Sequence, residues 1–83
     1  MVEKIRVHLF VLGRVQGVFF RENTRKIAEG LGILGWVKNL ENGRVEAVLE
    51  GDKDTIEKII EWAKRGPPFA KVDSVEVEFQ KYK

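Results

Sequence analysis

Hydrophobic and polar positions along the chain change period several times, and each change marks an element. Ile5, Val7, Leu9 and Val11 alternate with Arg6, His8, Phe10 and Leu12, which is the period of two expected of a strand with one buried face. This strand is predicted to end at Gly13. From Phe20 the spacing turns helical: Phe20, Thr24, Ile27, Ala28 and Leu31 share one side, with Arg25, Lys26 and Glu29 opposite. Gly30 and Gly32 supply the helix stop. Gly35 to Asn39 reads as a short second strand. Glu41-Asn42-Gly43 reads as a tight hairpin turn, because Asn-Gly accepts positive φ. Val45, Ala47 and Leu49 alternate with Arg44, Glu46 and Glu50 as a third strand closing at Gly51. Asp52 or Asp54 can cap a second helix, with Glu57 completing a capping box if Asp54 is the cap. Ile56, Ile59, Ile60 and Ala63 form its apolar stripe, and Gly66-Pro67-Pro68 stops it. Val75, Val77 and Phe79 alternate with Glu76 and Glu78 as a fourth strand.

The resulting order is β-α-β-β-α-β. Two helices can cover only one face of a four-stranded sheet, and each strand offers one apolar set to them. The predicted class is therefore α+β, a ferredoxin-like split βαβ sandwich with an antiparallel sheet and both helices on one face. With 83 residues, and no linker, repeat or low-complexity tract, residues 1–83 form a single domain.

Composition narrows the chemistry. Apolar residues make up 43%, enough for one packed core. The absence of cysteine excludes a disulfide framework, a thiol nucleophile and cysteine-based metal sites. A lone histidine, His8, excludes any site that needs two imidazoles, and it is read as a sheet-face residue. The sequence contains no membrane span and no signal-peptide pattern, so a cytoplasmic setting is expected. Fifteen basic against 13 acidic residues leave a net charge of only +2. That suits mild steering of a small anion and is a weak footprint for nucleic acid. A charged content of 34% suits a heat-adapted, thermostable protein.

Fold alone does not give function, so a site is needed. The connection from the first strand to the first helix, Gly13-Arg14-Val15-Gln16-Gly17-Val18-Phe19-Phe20-Arg21, is the first candidate. Two glycines four apart let the loop curl so that successive N–H groups point at one centre, as in an anion-binding nest. The helix start adds unpaired N–H groups and the positive end of its dipole. Arg21 adds a planar fork of donors suited to a phosphoryl group. The plainer reading is an ordinary strand-to-helix loop with a solvated arginine. Asn39, at the end of the second strand, can orient a water molecule by hydrogen bonding; equally, it fits a turn residue preceding the hairpin. Trp36 and Trp62 are read as packing residues. Glu46, Glu50, Glu57 and Glu61 are read as solvated positions. Phe19 either packs beneath the loop or lines the mouth of the site.

The run Leu12 to Arg21 resembles the first signature of the acylphosphatases, G-x-V-Q-G-V-x-F-R. The run Gly35-Trp36-Val37-Lys38-Asn39, with Gly43, Val45 and Gly51, resembles their second. Both match at every fixed position. The resemblance implies a metal- and cofactor-independent enzyme that hydrolyses the carboxyl–phosphate bond of acyl phosphates. Arg21 would correspond to the phosphate-binding arginine and Asn39 to the asparagine that orients the attacking water. The backbone amides of Val15, Gln16, Gly17, Val18, Phe19 and Phe20 would form the phosphate cradle. No side chain near the loop offers a nucleophile, so water must attack directly. Machinery limited to orientation and charge stabilisation favours a leaving group that departs without a general acid. A carboxylate, with a pKa of about 4, is such a group.

The alternative is a non-catalytic module of the same kind that binds phosphate or carbamoyl phosphate. Single-stranded RNA binding on the open sheet face is disfavoured by Glu46 and Glu50. The expected partner is a small acyl phosphate, with no nucleic acid or membrane, and the expected state is a monomer. Acylphosphatases usually continue into a fifth strand beside the second, and this chain departs from that pattern at Gln80-Lys81-Tyr82-Lys83. An uncovered second strand would permit edge-to-edge dimers.

Overall fold

The computed structural model describes residues 3–81. Its elements run β1 (Lys4–Arg14), α1 (Phe20–Gly30), β2 (Leu34–Asn39), β3 (Val45–Asp52), α2 (Lys53–Arg65) and β4 (Lys71–Gln80). The strands form one antiparallel sheet in the order β2-β3-β1-β4, the split βαβ arrangement that the periodicity predicts. The alternation works as expected. Val7, Leu9, Val11, Val45, Ala47 and Leu49 are buried on the helix-covered face, beneath the Ile56, Ile59, Ile60 and Ala63 stripe of α2.

Strand extents differ from the sequence-based expectation. β1 passes through Gly13 to Arg14, and a bulge between Leu12 and Gly13 shifts its register with β4. Gly13 sits at φ 128°, and a Cβ there would lie 2.2 Å from the Lys71 carbonyl oxygen, so the two backbones approach too closely for a side chain. β4 correspondingly begins at Lys71, well before Val75.

The β2–β3 hairpin turns at Glu41-Asn42-Gly43, as expected. Gly43 N–H donates to the Leu40 carbonyl and Leu40 N–H to the Arg44 carbonyl, with only Gly43 at positive φ, the geometry of a type I turn followed by a bulge. Asp52 occupies the N-cap of α2, while Asp54 lies inside the first turn and forms no capping box. The Asp52 carboxylate is engaged by Lys4 Nζ at 2.8 Å, and its carbonyl accepts from the Thr55 hydroxyl.

α1 ends as its glycines suggest. Ile33 N–H donates to the Ala28 carbonyl and Gly32 N–H to the Glu29 carbonyl, the paired bonds of a Schellman motif. These bonds turn the chain into β2, which runs back along α1 and brings Asn39 to the same end of the molecule as the start of the helix.

The face away from the helices carries charge in pairs. Arg6 meets Glu50 at 3.3 Å; His8 Nε2 and Lys38 Nζ meet Glu46 at 2.6 and 3.7 Å. Glu46 and Glu50 are thus half-buried partners in ion pairs and not free solvated positions. Trp36 lies on this face at an edge-on angle to His8, with Lys38 over its ring, whereas Trp62 packs against Phe20 in the core. No helix among the described residues is long and apolar enough to cross a membrane.

Candidate active site

The loop between β1 and α1 is pegged to the core by alternate side chains. Val15, Val18 and Phe20 are buried, in the cluster that contains Val11, Val45 and Ala63. Burial of each such side chain contributes on the order of 1.5–3 kcal/mol. Between the pegs, Gly17 and Phe19 face outward. Both have positive φ, 75° for Gly17 and 63° for Phe19. For a bulky residue such as phenylalanine this backbone is strained by roughly 1–3 kcal/mol. The Phe19 carbonyl is held by the Asn23 N–H and by the Asn23 side-chain amide, which fixes the strained residue as the helix N-cap.

Those conformations leave donors unused. Among the described residues, no N–H of Gln16 through Glu22 donates to a backbone carbonyl; the first to do so is Asn23. The unpaired N–H groups of the loop therefore run into those of the first helical turn.

Beside them opens a cleft of about 320 Å³ lined by Val15, Gly17, Phe19, Phe20, Arg21, Glu22 and Asn39. Arg21 and Asn39 are thus brought to one cleft from α1 and from the last residue of β2. Both are exposed, and neither side chain forms a hydrogen bond or ion pair with another described residue. Phe19, 72% exposed, stands at the mouth. Val18 packs inward, and Gln16 turns to the neighbouring Leu40–Arg44 turn, so these two line the loop's underside and not the cleft.

Glu22 escaped the sequence reading. It lines the cleft next to Arg21, and only its place one residue after that arginine hinted at this. The Arg25 guanidinium, donating to Glu22 Oε1 at 2.8 Å, holds the Glu22 carboxyl below its ordinary range by hydrogen bond and charge. Arg25 thereby offsets a negative charge at the edge of an anion site. His8 lies on the opposite face of the sheet from the helices, paired with Glu46. Among the described residues no three histidine, aspartate or glutamate side chains are grouped to hold a metal ion. The cleft thus offers oriented donors, one guanidinium and one amide, which suits holding a tetrahedral oxyanion and placing a water against it.

Comparison with known proteins finds similar chains and structures. The acylphosphatase family model matches residues 7–83. An acylphosphatase of Pyrobaculum islandicum is 54% identical over 83 residues, covering 99% of this chain and 87% of that relative. A solved acylphosphatase structure from Coxiella burnetii superimposes with a TM-score of 0.91 at 48% identity, covering 96% of this chain and 84% of the other. The full-length HypF structure, solved in a phosphate- and nucleotide-bound form, matches at TM-score 0.89 and 27% identity. It covers all of this chain but 11% of HypF.

Proposed function

The chain belongs to the acylphosphatase family, and from that premise we propose that Arg21 and the loop amides of Val15 to Phe20 bind the phosphoryl group while Asn39 orients the attacking water. As an acylphosphatase it hydrolyses the carboxyl–phosphate bond of acyl phosphates to carboxylate and phosphate. The observation that carries the residue assignment is the single cleft joining Arg21, Asn39 and a run of unpaired N–H groups.

In this reading the phosphoryl oxygens take the loop N–H groups and the Arg21 fork, which stabilise the charge that spreads over them in the transition state. The Asn39 amide accepts a hydrogen bond from water and aims it in line with the bond to be broken. The leaving carboxylate departs as an anion without a proton donor, because its conjugate acid is strong, with a pKa of about 4. An alkoxide would need a general acid, and neither Arg21 nor Asn39 can serve as one. The enzyme acts as a cytosolic monomer on a small substrate. Among the solved structures described above, the acylphosphatase, 84% spanned by this chain, favours turnover over the binding-module alternative.

Benzoyl phosphate hydrolysis tests the assignment. Arg21→Ala is expected to weaken inhibition by inorganic phosphate and to lower turnover together. Asn39→Ala is expected to lower kcat by about 100-fold or more while phosphate still binds. An alkyl phosphomonoester should be hydrolysed orders of magnitude more slowly than benzoyl phosphate. Comparable rates on the two substrates, or an Asn39→Ala enzyme that turns over normally but has lost phosphate, would overturn the roles.

A further inference from the structure

Gln16 does not line the cleft; its side chain reaches from the loop to the neighbouring β2–β3 turn. Its Nε2 donates to the Leu40 carbonyl at 2.7 Å and to the Arg44 carbonyl at 2.9 Å. Because both neighbours are carbonyl oxygens, only the NH2 end of the amide can face them, and each of its two hydrogens finds its own acceptor. The same carbonyls close the turn: Leu40 O accepts from Gly43 N–H and Arg44 O from Leu40 N–H. One half-buried carboxamide therefore clasps the entry and exit of the β2–β3 turn. Leu40 is the residue after Asn39, and among the described residues β2 is an edge strand bonded only to β3. On the open face the turn is steadied by Arg44 over the Phe10 ring at 4.6 Å. Among the described residues, the Gln16 bonds are the side-chain hydrogen bonds that tie the turn to the phosphate loop.

We propose that Gln16 is a positioning residue, whose side chain clamps the Leu40–Arg44 turn to the phosphate loop and so sets the distance and angle between Asn39 and the cradle. This rests on the roles proposed above for Asn39 and the loop. The cradle and the water-orienting amide lie on different elements, and the reaction needs them in fixed register. Misplacement of a reacting group by about 1 Å can reduce rate by 100-fold. The Gln16 main chain belongs to the cradle, but its side chain does not face the cleft, so side-chain removal should separate positioning from phosphate binding.

Gln16→Met keeps length and packing and removes both donors. In steady-state assays on benzoyl phosphate it is expected to lower kcat by about 10- to 100-fold, with the inhibition constant of inorganic phosphate changed less than about threefold. In the Asn39→Ala background the same substitution should cost little more, because the group it positions is gone. Gln16→Asn, too short to reach either carbonyl, should behave the same way and serves in the cycle if the methionine variant does not fold. A normal kcat with only a lowered Tm would overturn the proposal, as would independent, multiplying losses in the double variant or a parallel loss of phosphate affinity. If Asn39→Ala itself left kcat intact, the assignment of Asn39 would fail and the role of Gln16 with it. Failure of the cycle alone would leave that assignment standing.

Discussion

Gly13 and Gly17 stand four residues apart in one signature, yet the structure requires them for different reasons. At Gly13 both conformation and space exclude a side chain, since a Cβ would meet the Lys71 carbonyl oxygen at 2.2 Å and the Asp73 nitrogen at 2.7 Å, all backbone atoms that cannot rotate away. At Gly17 the space is open and only the φ of 75° is unfavourable. Gly13→Ala should therefore destabilise by about 2–4 kcal/mol by parting β1 from β4. Gly17→Ala should cost about 1–2 kcal/mol and act mainly on the curl of the cradle. Chemical denaturation combined with phosphate inhibition separates them: Gly17→Ala is expected to lose proportionately more phosphate affinity than stability, and Gly13→Ala the reverse. An equal stability loss at both positions would contradict the steric distinction. The glycine spacing in the sequence marked a loop that curls; that one glycine marks a strand-to-strand approach came only with the β4 register. Gln16 was similarly half-read, because its side-chain partners lie 24 and 28 residues away along the chain.

At the scale of elements, α1 is the part that both builds the site and carries its counter-charge. Its period and stop were plain in the sequence because apolar spacing and Gly30-Leu31-Gly32 reflect local geometry. The cap of α2 was legible only as a choice between Asp52 and Asp54, and the contact of Lys4 with the Asp52 carboxylate, across the sheet end, lies 48 residues away along the chain. Within α1, Glu22 and Arg25 form an i,i+3 pair, and Arg25 also meets Glu29 at 3.4 Å. The folded-state pKa of Glu22 lies below its ordinary 4.5. Its contribution is therefore fully present above pH 4.5 and is lost as pH falls through the lowered value. In Glu22→Gln the acid side of the stability curve should flatten below that pH, with little change near neutrality, because the pair is solvent-exposed. Glu22 stays ionised across neutral pH and His8 lies on the far face, so log kcat should be level between about pH 6 and 8. An imidazole-like limb in that window would place a titrating group in the mechanism that the cleft does not show. The same Glu22→Gln variant should bind inorganic phosphate somewhat tighter, by less than about tenfold, because one of the charges lining the cleft is removed.

For the molecule as a whole, the fold was readable because six successive periodic segments admit few ways to bury every apolar face in a chain this short. Strand extents were less readable. β1 and β4 lengthen by pairing with each other past the Leu12–Gly13 bulge, and non-local pairing leaves no mark in local alternation. The signatures contain most of the residues that line the cleft, whereas the tie between its two halves depends on chain reversal through β2. Net charge adds a last consequence. The overall +2 is small, but Arg14, Arg21, Lys38 and Arg44 lie on the segments flanking the cleft, against Glu22 and Glu41 nearby in sequence. A dianionic substrate should approach through a weakly positive field that salt screens over a Debye length of roughly 8–10 Å. Raising ionic strength from about 0.02 to 0.5 M should accordingly lower kcat/KM by about two- to fivefold. kcat should move less, because in the proposed site the phosphoryl group is held by fixed donors once it is bound. Sodium chloride titration on wild type and Lys38→Gln reads this directly. If kcat fell as steeply as kcat/KM, salt would be acting on the chemical step or the fold and not on encounter, and the steering field would have no kinetic role.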